Sequence, residues 1–194
     1  MPDPERYFTL AELRASDVAA LSNEDKYPDA TLQAALDSVE VEFERICNRA
    51  FVTRTFSETV TGDGTASVYL EKNEPSTILT VDGVAVSDAD FSSDGFKLLT
   101  RLDGLLWTRN QRFLIEYEYG TPVIPSDIKD AAIHRARGKV VSGRSRIDER
   151  ATMMQIPDFG TFNLATAGLK GSWTGIPDID VVLNDYAYGR GGAY

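Results

Sequence analysis

The side chains with the clearest chemical potential in this sequence are its single cysteine, Cys47, and its single histidine, His134. A cysteine becomes a nucleophile when a neighbouring base holds it as a thiolate, and histidine often supplies that base. The two residues lie on different predicted helices, and no catalytic motif surrounds either of them. Because isolated residues of this kind are more often packing residues, we predict no catalytic residue and no enzyme activity. A small hydrolase that uses Cys47 and His134 is the corresponding alternative.

The acidic residues and the glycine runs give no pattern for a metal or a cofactor. Asp178 and Asp180 stand where a helix is predicted to begin, and no acidic run has the spacing of a calcium loop. The glycine runs at 62–64 and 189–192 lack the strand–loop–helix context of a phosphate cradle. We therefore predict no metal site and no cofactor.

A basic segment follows residue 126 in a chain whose net charge is −10. It could contact nucleic acid, as in a DNA-binding regulator that uses a basic helix at 126–150. It could also be a solvated helix face, or a subunit interface that meets the acidic residues of a neighbouring copy. The acidic balance of the chain favours the last two interpretations over the first. The candidate subunit-interface residues are Arg135, Arg137, Glu40 and Glu44.

Composition limits the class of protein further. The chain has 194 residues, 42% of them hydrophobic and 10% aromatic, so a packed core is expected. A single cysteine excludes an internal disulfide. The first residues lack the pattern of a signal peptide, and no apolar run approaches membrane-spanning length. We expect a soluble protein, made in the cytoplasm, that has no membrane partner.

The strongest element of the sequence is a predicted helix at 31–46. Its apolar residues recur at intervals of four and three, which places them on one stripe, and Asp29 is predicted to cap the helix start. The stripe consists of Leu32, Leu36, Val39, Phe43 and Ile46. A helix of this length can cross a small domain, and its stripe requires a partner.

A second helix, predicted from Ser126, offers that partner. Its inner face carries Ile128, Ala132, Ala136 and Val140, and the small alanines predict a close approach to the first helix. A shorter helix near the N-terminus begins with a capping box between Thr9 and Glu12. These helices predict a helical scaffold formed by residues 1–51 and 121–150.

The sequence between these helices, residues 52–120, has the alternation and turn residues of β structure. Residues 53–61 and 67–70 are predicted to form one hairpin, and Asp82-Gly83 to turn a second one. Runs at 96–100 and 113–119 add two strand candidates. The fold class is therefore predicted to be α+β, with a small antiparallel barrel or sandwich inserted into the helical scaffold.

Residues 151–194 are predicted to form an extended C-terminal arm with one short helix at 177–186. The arm has too many apolar residues for a solvated linker and too little periodicity for a domain of its own. We expect it to dock on another protein and to leave the stability of the remaining chain unchanged when it is removed. The candidate docking residues are Phe159, Phe162, Leu164, Trp173, Ile176 and Leu183.

Several motifs, taken in order, resemble the head–tail connector, or head-completion adaptor, proteins of long-tailed bacteriophages. They are YFTLAELR at 7–14, CNRAF at 47–51, VDGV at 81–84, YEYG at 117–120 with IPSDIKDA at 124–131, and GTFNLA at 160–165 with TGIPDIDVVL at 174–183. The last pair looks like the adaptor tail of phages of actinobacteria. The resemblance spans nearly the whole chain.

This resemblance implies a structural virion protein at the neck, the junction between head and tail. It implies a ring of about twelve copies beneath the portal protein, joined on the other side to the next neck or tail-completion protein. Genome DNA would pass through the ring during packaging without being read. The C-terminal arm would reach the portal, so the six apolar arm residues become candidate portal-binding residues.

Overall fold

The computed structural model describes residues 6–17, 21–142, 153–156, 160–163 and 173–187 of the chain. The fold is α+β, as the sequence predicted. The helices within these residues are α1 (Leu10–Ser16), α2 (Asp29–Cys47), α3 (Ser126–Ser142) and α4 (Pro177–Tyr186). The strands are β1 (Arg54–Thr61), β2 (Ser67–Tyr69), β3 (Pro75–Val81), β4 (Val84–Ala85), β5 (Phe91–Ser93), β6 (Leu98–Arg101), β7 (Arg112–Tyr119), β8 (Met153–Ile156) and β9 (Gly160–Asn163).

The chain divides into two compact units. Residues Arg49–Ile124 form a β unit, and the described residues of Arg6–Asn48 and Pro125–Tyr194 form a helical unit. The chain leaves the helical unit after α2 and returns to it before α3.

The helical unit is built on the apolar stripe of α2. Leu32, Leu36, Val39 and Phe43 are fully buried, as their spacing predicted, whereas Ile46 is half-buried and Cys47 occupies the next core position. The helix ends at Cys47, and the next residue, Asn48, caps it with a left-handed backbone (φ 53°). An asparagine tolerates this conformation better than most side chains, which explains the stop.

Helix α3 packs along α2 with its small side chains inward. Ile128, Ala132, Ala136 and Val140 are all buried, which confirms the predicted inner face. Alanine side chains allow two helix backbones to approach closely, and burial of apolar area at such a contact stabilises the pair by about 25 cal/mol per Å².

Helix α1 begins at the predicted capping box. The Glu12 amide donates to Thr9 Oγ1 at 3.2 Å, and the Thr9 amide donates to Glu12 Oε2 at 2.8 Å. The predicted cap of α2 is wrong, because Pro28 occupies the N-cap and Asp29 is the first helical residue. The Asp29 carboxylate instead accepts from Arg14 Nη2 at 2.6 Å, which ties α1 to the start of α2.

The β unit contains two antiparallel sheets that enclose one core. One sheet has the strand order β1-β7-β3-β4 and the other β2-β6-β5. Both contribute to a cluster around the fully buried Trp107, whose ring meets Phe113 edge to face at 5.1 Å between centroids. The unit is therefore a sandwich, one of the two architectures that the sequence predicted.

The predicted hairpin of residues 53–61 with 67–70 is wrong, since β1 and β2 belong to different sheets. The reason lies at Gly62, whose amide donates to the Gln111 carbonyl at 2.9 Å and whose carbonyl accepts from the Asn110 amide at 2.9 Å. A Cβ at Gly62 would lie 2.3 Å from the Thr108 carbonyl oxygen. At residue 62 the chain therefore stays paired with the segment before β7 and does not turn back along β1.

The predicted hairpin at Asp82-Gly83 is confirmed. Val81 pairs with Val84, and both turn residues have positive φ, 53° for Asp82 and 76° for Gly83. Two consecutive positive φ values define the type I′ turn that an Asp-Gly pair favours. A further hairpin, β8–β9, pairs Met154 with Phe162 and was not predicted.

We expect Leu36→Ala to lower the free energy of unfolding of the helical unit by about 2–5 kcal/mol, because it leaves a cavity in the α2 stripe. The matched control is Val41→Ala on the same helix, where the valine is 67% exposed. The control should change stability by less than about 0.5 kcal/mol. Urea titration followed by the helical circular dichroism signal measures both, and equal effects of the two substitutions would contradict the assigned core.

Candidate assembly surfaces

The predicted interface residue Arg135 is engaged within the helical unit. Its guanidinium donates two hydrogen bonds to the Glu42 carboxylate of α2, from Nε to Oε2 at 3.1 Å and from Nη2 to Oε1 at 2.9 Å. Lys139, one turn further along α3, lies 3.0 Å from the same carboxylate and donates to Ser38 Oγ at 2.6 Å. These four residues form an ionic seam beside the buried contact of α2 and α3.

The contacts of the seam lower the pKa of the Glu42 carboxyl. Burial on its own raises the pKa of the Glu42 carboxyl, because the charged form loses water. Hydrogen bonds from Arg135 and Lys139 outweigh this effect and leave the pKa below its ordinary value of 4.5. The carboxylate is therefore charged at neutral pH and neutralises part of the basic segment from inside the chain.

Glu40, the second predicted interface residue, is buried, with 3% of its surface exposed. Its Oε1 accepts from the Tyr7 amide at 3.0 Å, and its Oε2 lies 3.3 Å from Arg6 Nη1. Arg6 also pairs with Asp37. Glu40 thus joins the segment before α1 to α2 by hydrogen bonds. The expectation that Glu40 lies on the acidic surface is therefore wrong.

The other two candidate interface residues, Glu44 and Arg137, are half-buried. Arg137 lines a shallow cleft of about 190 Å³ together with Ser16, Asp130, Ile133 and His134. Among the described residues no hydrogen bond or ion pair is found for the Arg137 side chain. Its assignment to a subunit interface stays a prediction.

The Cys47–His134 pair has no catalytic geometry in the structure. Cys47 is fully buried, and its thiol donates to the Leu183 carbonyl oxygen at 3.5 Å. His134 is exposed on α3. A nucleophile needs access to its substrate, and a buried thiol that is hydrogen-bonded to the backbone lacks such access.

The part of the predicted arm that the structure describes beyond residue 172 packs on its own chain. Leu183 and Ile179 of α4 are buried within the helical unit, and Tyr186 Oη donates to the Asp127 carboxylate at 3.0 Å. Asp180 Oδ1 accepts from both the amide and the hydroxyl of Thr174 at 2.8 Å, which fixes the entry to the helix. The expectation that the tail docks on another protein is therefore wrong for α4, which packs on its own chain.

The other candidate portal residues differ in position. Trp173 and Ile176 are half-buried, and Trp173 Nε1 donates to Asn184 Oδ1 at 3.0 Å. Phe162 lies in β9, and Phe159 and Leu164 lie outside the described residues. Leu183 has a packing role in its own chain, and the portal assignment of the others stays a prediction.

An exposed apolar loop between β6 and β7 was not predicted from the sequence. Leu102, Leu105 and Leu106 are 60%, 58% and 56% exposed. We call residues 102–106 the leucine loop. The signal was present in the sequence, as three leucines in a five-residue segment that contains aspartate and glycine and has no strand alternation.

Within the described part of the chain, no cluster of three or more His, Cys, Asp or Glu side chains could hold a metal ion. No helix in these residues combines the length and the apolar character needed to cross a bilayer.

The comparison with solved structures finds the same fold in particle necks. A chain in the neck of an empty GTA particle, computed with C6 symmetry, matches with a TM-score of 0.59 and 19% identity over 96% of this chain and 93% of that chain. A chain in the neck of a native GTA particle, computed with C12 symmetry, matches with a TM-score of 0.50 and 18% identity over 94% and 90%. No protein-family model and no curated protein matches. At these identities the likeness shows a shared fold over nearly the whole chain.

We expect acid to weaken the ionic seam. The pKa of Glu42 is lower in the folded protein than in the unfolded chain, so its stabilisation is complete above the unfolded pKa of about 4.5 and is lost as pH falls through the folded pKa. Glu42→Gln should therefore destabilise the protein at pH 7 and lose less stability on acidification than the wild type. Thermal unfolding from neutral to acidic pH tests this, and Glu24→Gln, at an exposed position between α1 and α2, is the control. Parallel pH profiles of wild type and Glu42→Gln would contradict the seam.

We expect Leu183→Ala to lower the free energy of unfolding by about 2–5 kcal/mol, because Leu183 is fully buried. Val181→Ala is the matched control on the same helix, since Val181 is 62% exposed. Truncation after Arg150 should destabilise the helical unit more than Leu183→Ala does. If the truncated chain has the same stability as the full chain in a urea titration, α4 does not stabilise the helical unit and the predicted free arm is supported.

Proposed function

We propose that this chain is a structural neck subunit of a phage-like particle, a head-to-tail adaptor. Copies of the chain form a ring beneath the portal, join the capsid to the tail and let genome DNA pass. The observation that carries this proposal is the likeness to neck chains over 96% of this chain and 93% of the matched chain. GTA particles, or gene transfer agents, are phage-like, so this likeness and the resemblance of the motifs to phage adaptors support the same role.

The symmetry of the matched necks supports a ring of copies of this chain. One neck was computed with C6 and the other with C12 symmetry, and cyclic symmetry of either kind places copies head to tail around an axis. Twelve copies satisfy both symmetries. In such a contact each subunit presents two different surfaces to its two neighbours.

The charge of the chain suits a conduit for DNA. A net charge of −10 disfavours adhesion to phosphate, so DNA could slide through a ring of such subunits. The alternative, a DNA-binding regulator that uses the basic helix, gains no support. Lys129 pairs with Glu12, and Arg135 and Lys139 pair with Glu42, so these cations are partly neutralised within the chain.

We expect electron microscopy of the purified protein mixed with the portal protein of its particle to display rings of sixfold or twelvefold symmetry at one end of the portal. Arg137→Glu should weaken ring formation if the basic segment contributes to the subunit contact. Lys26→Glu, at an exposed position between α1 and α2, is the matched charge reversal. Arg135→Glu is a poor test, because it places two carboxylates together in the seam and destabilises the fold.

Absence of a complex with the portal at micromolar concentrations would contradict the adaptor role. Tight duplex-DNA binding that weakens steeply with salt would favour the regulator instead.

A further inference from the structure

Strand β1 forms one outer edge of the four-stranded sheet, whose strand order is β1-β7-β3-β4. It is eight residues long, contains no proline, and pairs with β7 over its whole length. A strand at the edge of a sheet presents a row of backbone N–H and C=O groups to its surroundings. The free side of β1 is therefore a place where another strand can add.

The contacts of Leu114 identify backbone groups of β1 that face away from the sheet. Thr59 lies opposite Leu114 in the register of β1 and β7. The Leu114 amide donates to Asp82 Oδ1 at 2.8 Å, and its carbonyl accepts from the Asp82 amide at 2.7 Å. Opposite residues of an antiparallel pair exchange either two hydrogen bonds or none, so Thr59 and Leu114 exchange none. The amide and the carbonyl of Thr59 therefore point out of the free edge.

A groove of about 580 Å³ lies along this edge. One wall is formed by residues 58–61 of β1, and the other includes residues 67–69 of β2. Strand β2 is in turn an outer strand of the second sheet, whose order is β2-β6-β5. The groove therefore lies between the edges of the two sheets, where an extended segment of chain can reach backbone groups that are not used within either sheet.

The acidic side chains of the groove are already occupied within the β unit. The Glu58 carboxylate accepts from the Tyr117 hydroxyl at 2.6 Å, and the Asp63 carboxylate accepts from the Thr65 amide at 2.8 Å. The groups that the groove offers to a partner are therefore mainly those of the backbone. Backbone hydrogen bonds at a sheet edge are satisfied by an extended peptide, the mode of recognition known as strand addition.

The β8–β9 hairpin offers strands of matching length. Each of its strands has four residues, which extend about 13 Å at about 3.3 Å per residue, the same length as the 58–61 wall. Its sheet has two strands, and no other described strand extends it. Such a pair is at best marginally stable alone in water, so a third strand stabilises it. The strand sequences MMQI and GTFN carry no charge, so their entry into a groove removes no charge from water.

We propose that the β8–β9 hairpin of one subunit adds to the β1 edge of a neighbouring copy of this chain and forms the head-to-tail contact of the ring. This inference rests on the proposed function, because a cyclic ring requires two unlike contact surfaces on each subunit. The hairpin and the β1 edge are two such surfaces, and every copy carries both. The proposal assigns β9, and with it Phe162, to a contact between copies instead of to the portal.

The first test is photocrosslinking of the full chain with benzoylphenylalanine in place of Thr59, which is exposed and lines the groove. Equal amounts of unlabelled and ¹⁵N-labelled protein are mixed before ring assembly, so that mass spectrometry separates crosslinks between copies from those within one copy. The expected product joins position 59 to a peptide of another copy within residues 153–163. Benzoylphenylalanine at Val84, which is 67% exposed on the opposite edge strand of the same sheet, is the control and should not give this product.

Every other crosslinking result contradicts strand addition between copies. Products within one copy would show that the hairpin covers its own β1 edge. Products with the portal would assign the edge to that partner. Products with a different part of another copy, or no product at position 59, would also overturn the proposal.

A second test uses Thr59→Pro, which removes the outward N–H and leaves the hydrogen bonds to β7 in place. Thr59→Val is the matched control, because it keeps both the N–H and the β-branched shape. We expect the proline variant to stay folded by circular dichroism and monomeric by light scattering under conditions in which the wild type and the valine variant form rings. Rings from the proline variant with portal binding intact would overturn the strand contact and leave the adaptor function standing. A wild type that forms no ring with the portal would remove both.

Hydrogen exchange of the wild type tests the contact without a substitution, so the proposal stays testable if Thr59→Pro unfolds. The Thr59 amide faces out of the sheet edge, and it should exchange more slowly in the ring than in the dilute monomer. The amide of Val84, on the opposite edge strand, should exchange at the same rate in both states. Equal exchange of the Thr59 amide in ring and monomer would overturn the proposal.

Discussion

The structure of the helical unit depends on the contact between α2 and α3. Leucine, valine and phenylalanine side chains of α2 meet the alanine face of α3, and all of them are removed from water. The two helices are separated in the chain by the entire β unit, so this contact must overcome the entropy of closing a long loop. A continuous buried stripe provides a free energy large enough to do so, whereas isolated surface ion pairs do not.

The same contact determines what the charged residues can do. Arg135 and Lys139 are brought over Glu42 by the packing of the helices, and the resulting ion pairs are partly shielded from solvent. Charges used in this way are less available to a neighbouring subunit or to DNA. The most exposed leucines of the described residues lie elsewhere, in the β unit, where Asp103 and Trp107 hold the leucine loop in position.

For helix α4 the sequence predicted the secondary structure correctly and the docking partner wrongly. Its periodicity identified the helix, and its apolar residues correctly indicated a docking surface. That surface belongs to the same chain, where Leu183 lies beside the Cys47 thiol at the end of α2. A hydrophobic pattern specifies that a face must be covered, but the covering surface depends on the whole fold.

Four local features could be predicted from short stretches of the sequence: the α2 stripe, the alanine face of α3, the Thr9–Glu12 capping box and the Asp82-Gly83 turn. Each of these depends on residues a few positions apart, and their side chains settle the geometry without distant help. Three other features depend on the complete fold: β1 pairs with β7, Glu40 is buried and the leucine loop is exposed. Strand pairing and burial join residues far apart in the chain, and the pattern along one strand is compatible with many partners.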